Sequence, residues 1–260
     1  MPTAVITGAS AGLGKALTTE LLARGWHIVI TARGEDRLDL FAGELRVTDR
    51  DGSARLTALA GDVAEPDHRR RLVAEIDRRG SLDLLVNNAS TLGPTPLGPL
   101  GTLSASDLSR VFAVNVIAPF ALVTALLPIL ARSHGTVIDI SSDASVEHYP
   151  HWGGYGASKA ALDHLTLTFG AENLDITCYA LDPGDMRTDM QQAAFPGEDI
   201  SDRRSPNEVV PALVDLITTR PPSGRYRAGD RVALPDAVQE GNPVQEGSPV
   251  QDGSPAVAAS

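Results

Sequence analysis

Short unbroken apolar runs alternate along this chain with longer stretches in which apolar positions return every three or four residues, and the alternation persists through residue 185. The short runs predict strands over 3–7, 27–31, 55–60, 82–86, 136–141 and 176–181. Apolar at nearly every position, they read as strands buried on both faces. Between them the helical period predicts helices over 12–24, 35–47, 66–79, 106–132 and 154–172, with Pro66 suited to a first helical turn. Six strands joined by five helical crossovers predict an α/β fold, a parallel sheet covered by helices on both faces.

After Pro183-Gly184 the pattern loosens over 185–206, a loop long enough to be read as functional, before a helix over 207–219 and a short strand over 225–228. Beyond Pro235 a six-residue motif repeats three times, as in Val238-Gln-Glu-Gly-Asn-Pro243. Such polar, Gly/Pro-rich repeats cannot bury a core, so residues 1–235 are expected to form one domain and 236–260 a disordered tail. The stretch 111–131 is apolar and long enough to span a bilayer, but Asn115, Pro119, Thr124 and Pro128 interrupt it. A helix buried on several sides, in part at a subunit interface, is expected instead, with no membrane partner.

At 260 residues, 42% apolar and 4% aromatic, the chain has the composition of a soluble single domain with an aliphatic core. A net charge of -11 opposes nucleic-acid binding and points to a small-molecule partner. No secretory signal opens the sequence, so a cytoplasmic protein is expected. The one cysteine, Cys178, excludes an internal disulfide and any multi-Cys metal site; within an apolar run, it reads as a buried inert thiol rather than a nucleophile. No metal site is expected.

The chemistry begins at Thr7-Gly8-Ala9-Ser10-Ala11-Gly12-Leu13-Gly14, which follows the first strand and opens the first helix. A dinucleotide pyrophosphate needs a tight turn, a backbone bare enough to approach and helix N-terminal N–H groups, which Gly8, Gly12 and Gly14 can supply. The second strand runs into Thr31-Ala32-Arg33-Gly34, placing Ala32 where NAD sites carry a carboxylate and Arg33 beside it. This favours NADP(H), whose 2′-phosphate an Arg binds, with NAD left open by the nearby Glu35 and Asp36. Arg33 also reads as a solvated residue after a strand. Asp62, with Val63 after the third strand, reads either as an acceptor for the adenine amino group or as a turn or capping acid before Pro66.

Tyr155 and Lys159 stand four apart on one predicted helix face, where an ammonium favours the phenolate of its neighbour. Ser142 closes the fifth strand at the sheet edge where open α/β folds bind ligands. There it can hold a carbonyl while Tyr155 gives or takes the proton. An exposed helical Tyr/Lys pair is the plain alternative.

Together these motifs resemble the short-chain dehydrogenase/reductase family: TGASAGLG at 7–14, Asn87-Asn88-Ala89, Asn115, Ser141-Ser142, Tyr155-x-x-x-Lys159 and Pro183-Gly184-x-x-x-Thr188 come in the family's order over residues 3–190. The resemblance implies a three-layer, doubly wound Rossmann-type fold with a mostly parallel sheet of about seven strands. It also implies NAD(P)-dependent interconversion of a ketone or aldehyde with a secondary alcohol, and a homodimer or homotetramer. In its terms Tyr155 is the general acid, Ser142 orients the substrate oxygen, Lys159 binds the nicotinamide ribose and lowers the tyrosine pKa, and Asn115 holds a water leading to Lys159. Gly8, Ser10, Gly12, Leu13 and Gly14 would hold the cofactor's phosphates; Asn88 and Ala89 would line the cofactor at the end of the fourth strand, and Pro183, Gly184, Met186 and Thr188 would line the nicotinamide side.

Met190 and Phe195, with Met186, either touch substrate or pin a lid. Ser90 stands where the family has glycine, raising the question of torsional strain or crowding of the nicotinamide. Gly224-Arg-Tyr-Arg-Ala-Gly229 replaces the usual C-terminal glycine pair. His148, His151 and Trp152 either shape the pocket or merely cover the sheet edge. Two other classes remain beside the oxidoreductase: an NADP-sensing regulatory protein without turnover, and a structural subunit.

Overall fold

A computed structural model describes residues 1–48 and 55–229. Seven strands, β1 (Thr3–Thr7), β2 (His27–Ala32), β3 (Leu56–Ala60), β4 (Leu84–Asn87), β5 (Thr136–Ile140), β6 (Thr177–Asp182) and β7 (Gly224–Arg227), form one sheet in the order β3-β2-β1-β4-β5-β6-β7. All neighbouring pairs are parallel. The chain winds outward from β1 to β3, then returns across β1 to lay β4 on its other side. That reversal between β1 and β4 opens a crevice at the carboxyl ends of the strands.

The helices α1 (Gly12–Ala23), α2 (Glu35–Thr48), α3 (Pro66–Arg79), α4 (Ala105–Phe112), α5 (Ala118–Arg132), α6 (Gly153–Glu172), α7 (Asp189–Ala194) and α8 (Pro206–Thr219) connect or flank the strands. Successive strand side chains face opposite ways, so β1 feeds both layers. Ala4 and Ile6 join Leu17, Leu38 and Leu213 on one face, while Val5 joins Leu72, Leu122 and Leu126 on the other. Cys178 is fully buried in β6 and its thiol is pushed up to about 12 by desolvation, in keeping with an inert core residue.

The single helix expected over 106–132 is helical throughout but not uniform. A π turn, Ala113–Ile117, joins α4 to α5. Pro119 has no N–H for the carbonyl of Asn115 four residues earlier, so a regular α ladder cannot pass this point. By length and composition this segment could cross a membrane, yet Leu122, Val123, Leu126 and Leu130 lie against the sheet while Ile117 and Phe120 are exposed.

The segment 185–206 carries α7 and is tied at its end by Arg204, whose Nη2 donates to the carbonyls of Pro183 and Ala228, each at 3.1 Å. The last strand sits one residue earlier than the sequence pattern suggested. The tail expected to be disordered lies outside the described residues.

Candidate active site

A cleft of about 1100 Å³ follows the crevice, from Ala32, Arg33, Gly34 and Arg37 at one end to Ser142, Tyr155 and Lys159 at the other. The turn between β1 and α1 forms its floor. Gly8 adopts φ +66°, and a Cβ there would come within 2.8 Å of the Ala89 backbone. Asn88 fixes this turn from across the sheet: its Nδ2 donates to the carbonyls of Thr7 (2.9 Å) and Gly8 (3.1 Å), and its own N–H, like that of Ala89, donates to Thr7 Oγ1 at 3.0 Å. Gly8, Ser10, Gly12 and Leu13 line the cleft, as do Asn88 and Ala89.

Gly14 does not. It packs behind the wall, where a Cβ would meet Asn88 Nδ2 at 2.6 Å and the Gly8 carbonyl at 2.7 Å, so its smallness seats α1 against the turn rather than exposing backbone to a ligand.

At the first end Arg33 is exposed and makes no hydrogen bond or ion pair among the described residues. Glu35 and Asp36, in the first turn of α2, are not among the residues that line the cleft. Arg37, which the sequence reading missed, also lines it and pairs with Asp189 of α7 at 3.0 Å. Nothing in the local pattern marks Arg37, since its partner lies 152 residues away. Asp62 makes an Asx turn, accepting from Ala64 N at 2.9 Å, and lies 3.6 Å from Arg110. The cap position of α3 belongs to Glu65, so the turn reading of Asp62 holds and the capping one does not. Asp62 and Val63 both line the cleft.

At the other end α6 brings Tyr155 and Lys159 to one face, with Nζ 5.5 Å from the ring centroid. Nζ donates to the Ile140 carbonyl at 2.6 Å. Burial pushes this ammonium down to about 8, against the opposing pull of Asp139 and Asp163. Burial drives the Tyr155 phenol well above its ordinary range; what counters this is the pair of hydroxyls beside it, Ser142 and then Ser90. These hydroxyls are thus what opposes burial at the phenol, while the Lys159 ammonium is held against the Ile140 carbonyl.

Ser142 rather than Ser141 is the serine beside the phenol. Its Oγ donates to Asp143 Oδ1 (3.0 Å) and accepts from Ala144 N (3.2 Å). Ser141 instead continues the sheet, its N–H donating to the Leu181 carbonyl at 2.7 Å.

Asn115, fully buried in the π turn, stands behind the cleft wall. Its Oδ1 accepts from Thr91 N (2.9 Å) and Ser90 Oγ (3.2 Å), while Nδ2 donates to Thr91 O and Ser158 Oγ, both at 2.9 Å. The Asn115 side chain is thus committed to protein partners, bracing the Ser90–Thr91 backbone against α6.

Pro183, Gly184, Met186 and Thr188 line the cleft from the β6 side, joined by Met190 and Phe195. Trp152 packs edge-on to Tyr155 (centroids 5.7 Å apart) and against Phe195 (5.9 Å). Trp152 and the apolar loop residues therefore shape the pocket, whereas His148 and His151 lie exposed outside it. Among the described residues no cluster of His, Cys, Asp and Glu has metal-binding geometry.

The model of the short chain dehydrogenase family matches residues 2–199. The 2-(R)-hydroxypropyl-CoM dehydrogenase of Xanthobacter autotrophicus is 34% identical over 197 residues, covering 73% of this chain and 76% of that one. The sepiapterin reductase of Mus musculus is 33% identical over 201 residues, with coverages of 73% and 76%. A short-chain dehydrogenase of Shigella flexneri solved in complex with NADP superposes with a TM-score of 0.79 at 26% identity, over 87% of this chain and 95% of its own. With its all-parallel seven-stranded sheet and this cleft, the chain belongs to the short-chain dehydrogenase/reductase family and is an NAD(P)-dependent oxidoreductase.

Proposed function

We propose that the chain is an NADP(H)-preferring reductase of ketones or aldehydes, working in reverse on secondary alcohols, with Tyr155 as its general acid. The observation that carries this reading is a single cleft with Ser142, Tyr155 and Lys159 at one end and two arginines without a facing carboxylate of α2 at the other. The cofactor fits the residues present: bare backbone at Gly8 and Gly12 opens to the N-terminus of the twelve-residue α1, which favours a pyrophosphate. Arg33, with Arg37, would take a 2′-phosphate, and the Shigella flexneri relative solved with NADP supports that choice of cofactor. Asp62 and Val63 would flank the adenine, and Lys159 and Tyr155 the nicotinamide ribose.

Bound NADPH supplies a hydride to the carbonyl carbon. The chain's own residues do the rest. Ser142 turns its hydroxyl to the substrate oxygen and fixes it beside the phenol. Tyr155 passes its proton to that oxygen as charge develops there. Lys159, buried and partly relieved of its charge cost by Asp139, offers a positive potential under the ring. Trp152, Met190 and Phe195 exclude water and select an apolar substrate body.

Exposed Ile117, Phe120 and Leu167, on the π turn, α5 and α6, support a homodimer across those helices.

The test is titration with NADPH and with NADH followed through nicotinamide fluorescence, then a carbonyl panel with Tyr155→Phe as control. Tighter NADPH binding and Tyr155-dependent NADPH oxidation are expected. Binding without turnover on any carbonyl would instead favour a sensor.

A further inference from the structure

We propose that Asp143 is a specificity residue of this site: its carboxylate accepts a hydrogen bond from the substrate, so the class of substrate is a carbonyl compound with a hydroxyl on the neighbouring carbon, or the matching vicinal diol in the reverse direction. The inference rests on the reading of Ser142 and Tyr155 as the groups that hold and protonate the substrate oxygen, and it names the substrate class of that same site.

Five aspartates line the cleft: Asp62, Asp143, Asp182, Asp185 and Asp189. Four of them face an arginine. Asp62 lies 3.6 Å from Arg110, Asp182 3.7 Å from Arg225, Asp185 3.6 Å from Arg203 and Asp189 3.0 Å from Arg37. Asp143 has no such cation among the described residues and is held by neutral donors instead. Its Oδ1 accepts from Ser142 Oγ at 3.0 Å and from Ala144 N at 2.8 Å, and its Oδ2 accepts from Tyr149 OH at 3.1 Å. Asp143 is half-buried and stands with Tyr149 at the substrate end of the cleft. Each carboxylate oxygen can accept more than one hydrogen bond, so Oδ2, with a single donor, keeps capacity for another.

Ser142 has one hydrogen to give. In the free site that hydrogen lies on Asp143 Oδ1, because an ionised carboxylate only accepts, while Oγ itself accepts from Ala144 N at 3.2 Å. To hold a carbonyl, Ser142 must turn the hydrogen to the substrate oxygen. Asp143 Oδ1 then keeps the Ala144 N–H and loses its hydroxyl.

The wall beside it is apolar: Leu92, Ala144 and Tyr155 pack with Trp152 and Met190. A charged group that gives up a donor in such surroundings, with no cation facing it, is costly. A substrate hydroxyl next to the carbonyl restores the lost bond. The two oxygens of such a pair stand about one hydrogen-bond length apart, the same separation as Ser142 Oγ and Asp143 Oδ1, so one can meet Ser142 while the O–H of the other reaches the carboxylate. Asp143 neither gains nor loses a proton in this exchange. Tyr149, by pinning Oδ2, keeps the carboxylate turned to the cleft.

The experiment measures kcat/KM with NADPH for acetophenone, α-methoxyacetophenone and α-hydroxyacetophenone in the wild type, Asp143→Ala and Asp143→Asn. The methyl ether activates the carbonyl much as the hydroxyl does but has no hydrogen to donate, so the hydroxy-to-methoxy ratio isolates the bond. A ratio of about tenfold or more is expected in the wild type, the scale of a hydrogen bond to a charged group. In Asp143→Ala the ratio should fall to near unity. In Asp143→Asn, which keeps the shape without the charge, it should fall below the wild-type value. A displaced Ser142 would lower turnover of all three ketones alike and leave the ratio unmoved. NADPH titration by fluorescence shows which variants retain the folded cleft; should Asp143→Ala not bind, Asp143→Asn carries the comparison. A wild-type ratio near unity, or a ratio unchanged in the variants, overturns the proposal while the reductase reading stands. A wild-type enzyme without Tyr155-dependent turnover on any carbonyl removes both.

Discussion

Arg225, on the last strand, donates through Nη2 to the carbonyl of Ser142 at 3.0 Å while its Nε holds Asp163 Oδ2 at 3.1 Å. Asp182, almost fully buried, lies 3.7 Å from the same guanidinium. Arg225 thus braces the backbone of the substrate-orienting serine and neutralises two carboxylates beneath it. Arg225→Met should cost about 3 kcal/mol at neutral pH, because both acids lose this partner. Burial already raises the Asp182 carboxyl, and Arg225 is among the groups holding it down, so the variant raises it further. An acid with a raised folded pKa stabilises the fold below its unfolded pKa and loses that contribution as pH rises through the folded value. The gap between variant and wild type should therefore narrow toward about pH 4, where urea denaturation at two pH values will show it.

Arg33→Ala should weaken NADPH binding by roughly 10- to 100-fold and leave NADH nearly unchanged, since only the 2′-phosphate loses a charge-assisted bond. Asp189→Ala should act the other way. It frees Arg37 from its ion pair with α7 and removes a carboxylate from the cleft mouth, tightening NADPH by about two- to five-fold. Fluorescence titration of both cofactors against the two variants separates these effects.

What was legible in the sequence is what local pattern carries. Unbroken apolar runs gave the strands of the buried sheet to within a residue or two, and the Gly8–Gly14 turn and the Tyr155/Lys159 spacing could be placed on their elements from chain order alone. Contacts set by distant partners were not legible. Arg37 acquires its place through Asp189, and Arg225 through Ser142 and Asp163. Gly14 follows the same rule, because what forbids a side chain there is Asn88, from another strand end. The π turn had a visible cause in Pro119, but that it would face Asn115 into the Ser90–Thr91 backbone depends on how α5 packs.

Two glycines on helices should respond oppositely to alanine. Gly14→Ala places a Cβ 2.6 Å from Asn88 Nδ2 and 2.7 Å from the Gly8 carbonyl, so the cofactor turn or α1 must shift. A loss of about 1–3 kcal/mol is expected despite the better helix propensity of Ala, together with weaker cofactor binding. Gly43→Ala in α2 meets nothing within 4 Å and should gain up to about 1 kcal/mol with cofactor binding unchanged. Thermal denaturation of the two variants side by side provides the check.

Asp139 is the buried charge on which Lys159 depends. Fully enclosed in β5, it accepts from Thr166 Oγ1 at 2.6 Å and Asn87 Nδ2 at 2.7 Å, yet burial outweighs these bonds and pushes its carboxyl up to about 6. Its contribution to stability is complete below the unfolded value near about 4 and disappears as pH rises through about 6, so at neutral pH the ionised group weighs against the fold. Asp139→Asn removes that loss, and the variant should gain on the wild type as pH climbs across this window. The same change withdraws a charge that favours the Lys159 ammonium, so that group should titrate below its present value of about 8. Urea midpoints at about pH 5 and about pH 7.5 test the first effect, and the pH dependence of turnover tests the second. Midpoints that run parallel in variant and wild type across the whole range would mean that Asp139 does not titrate there, and an unmoved pH profile of turnover that Lys159 holds its charge without it.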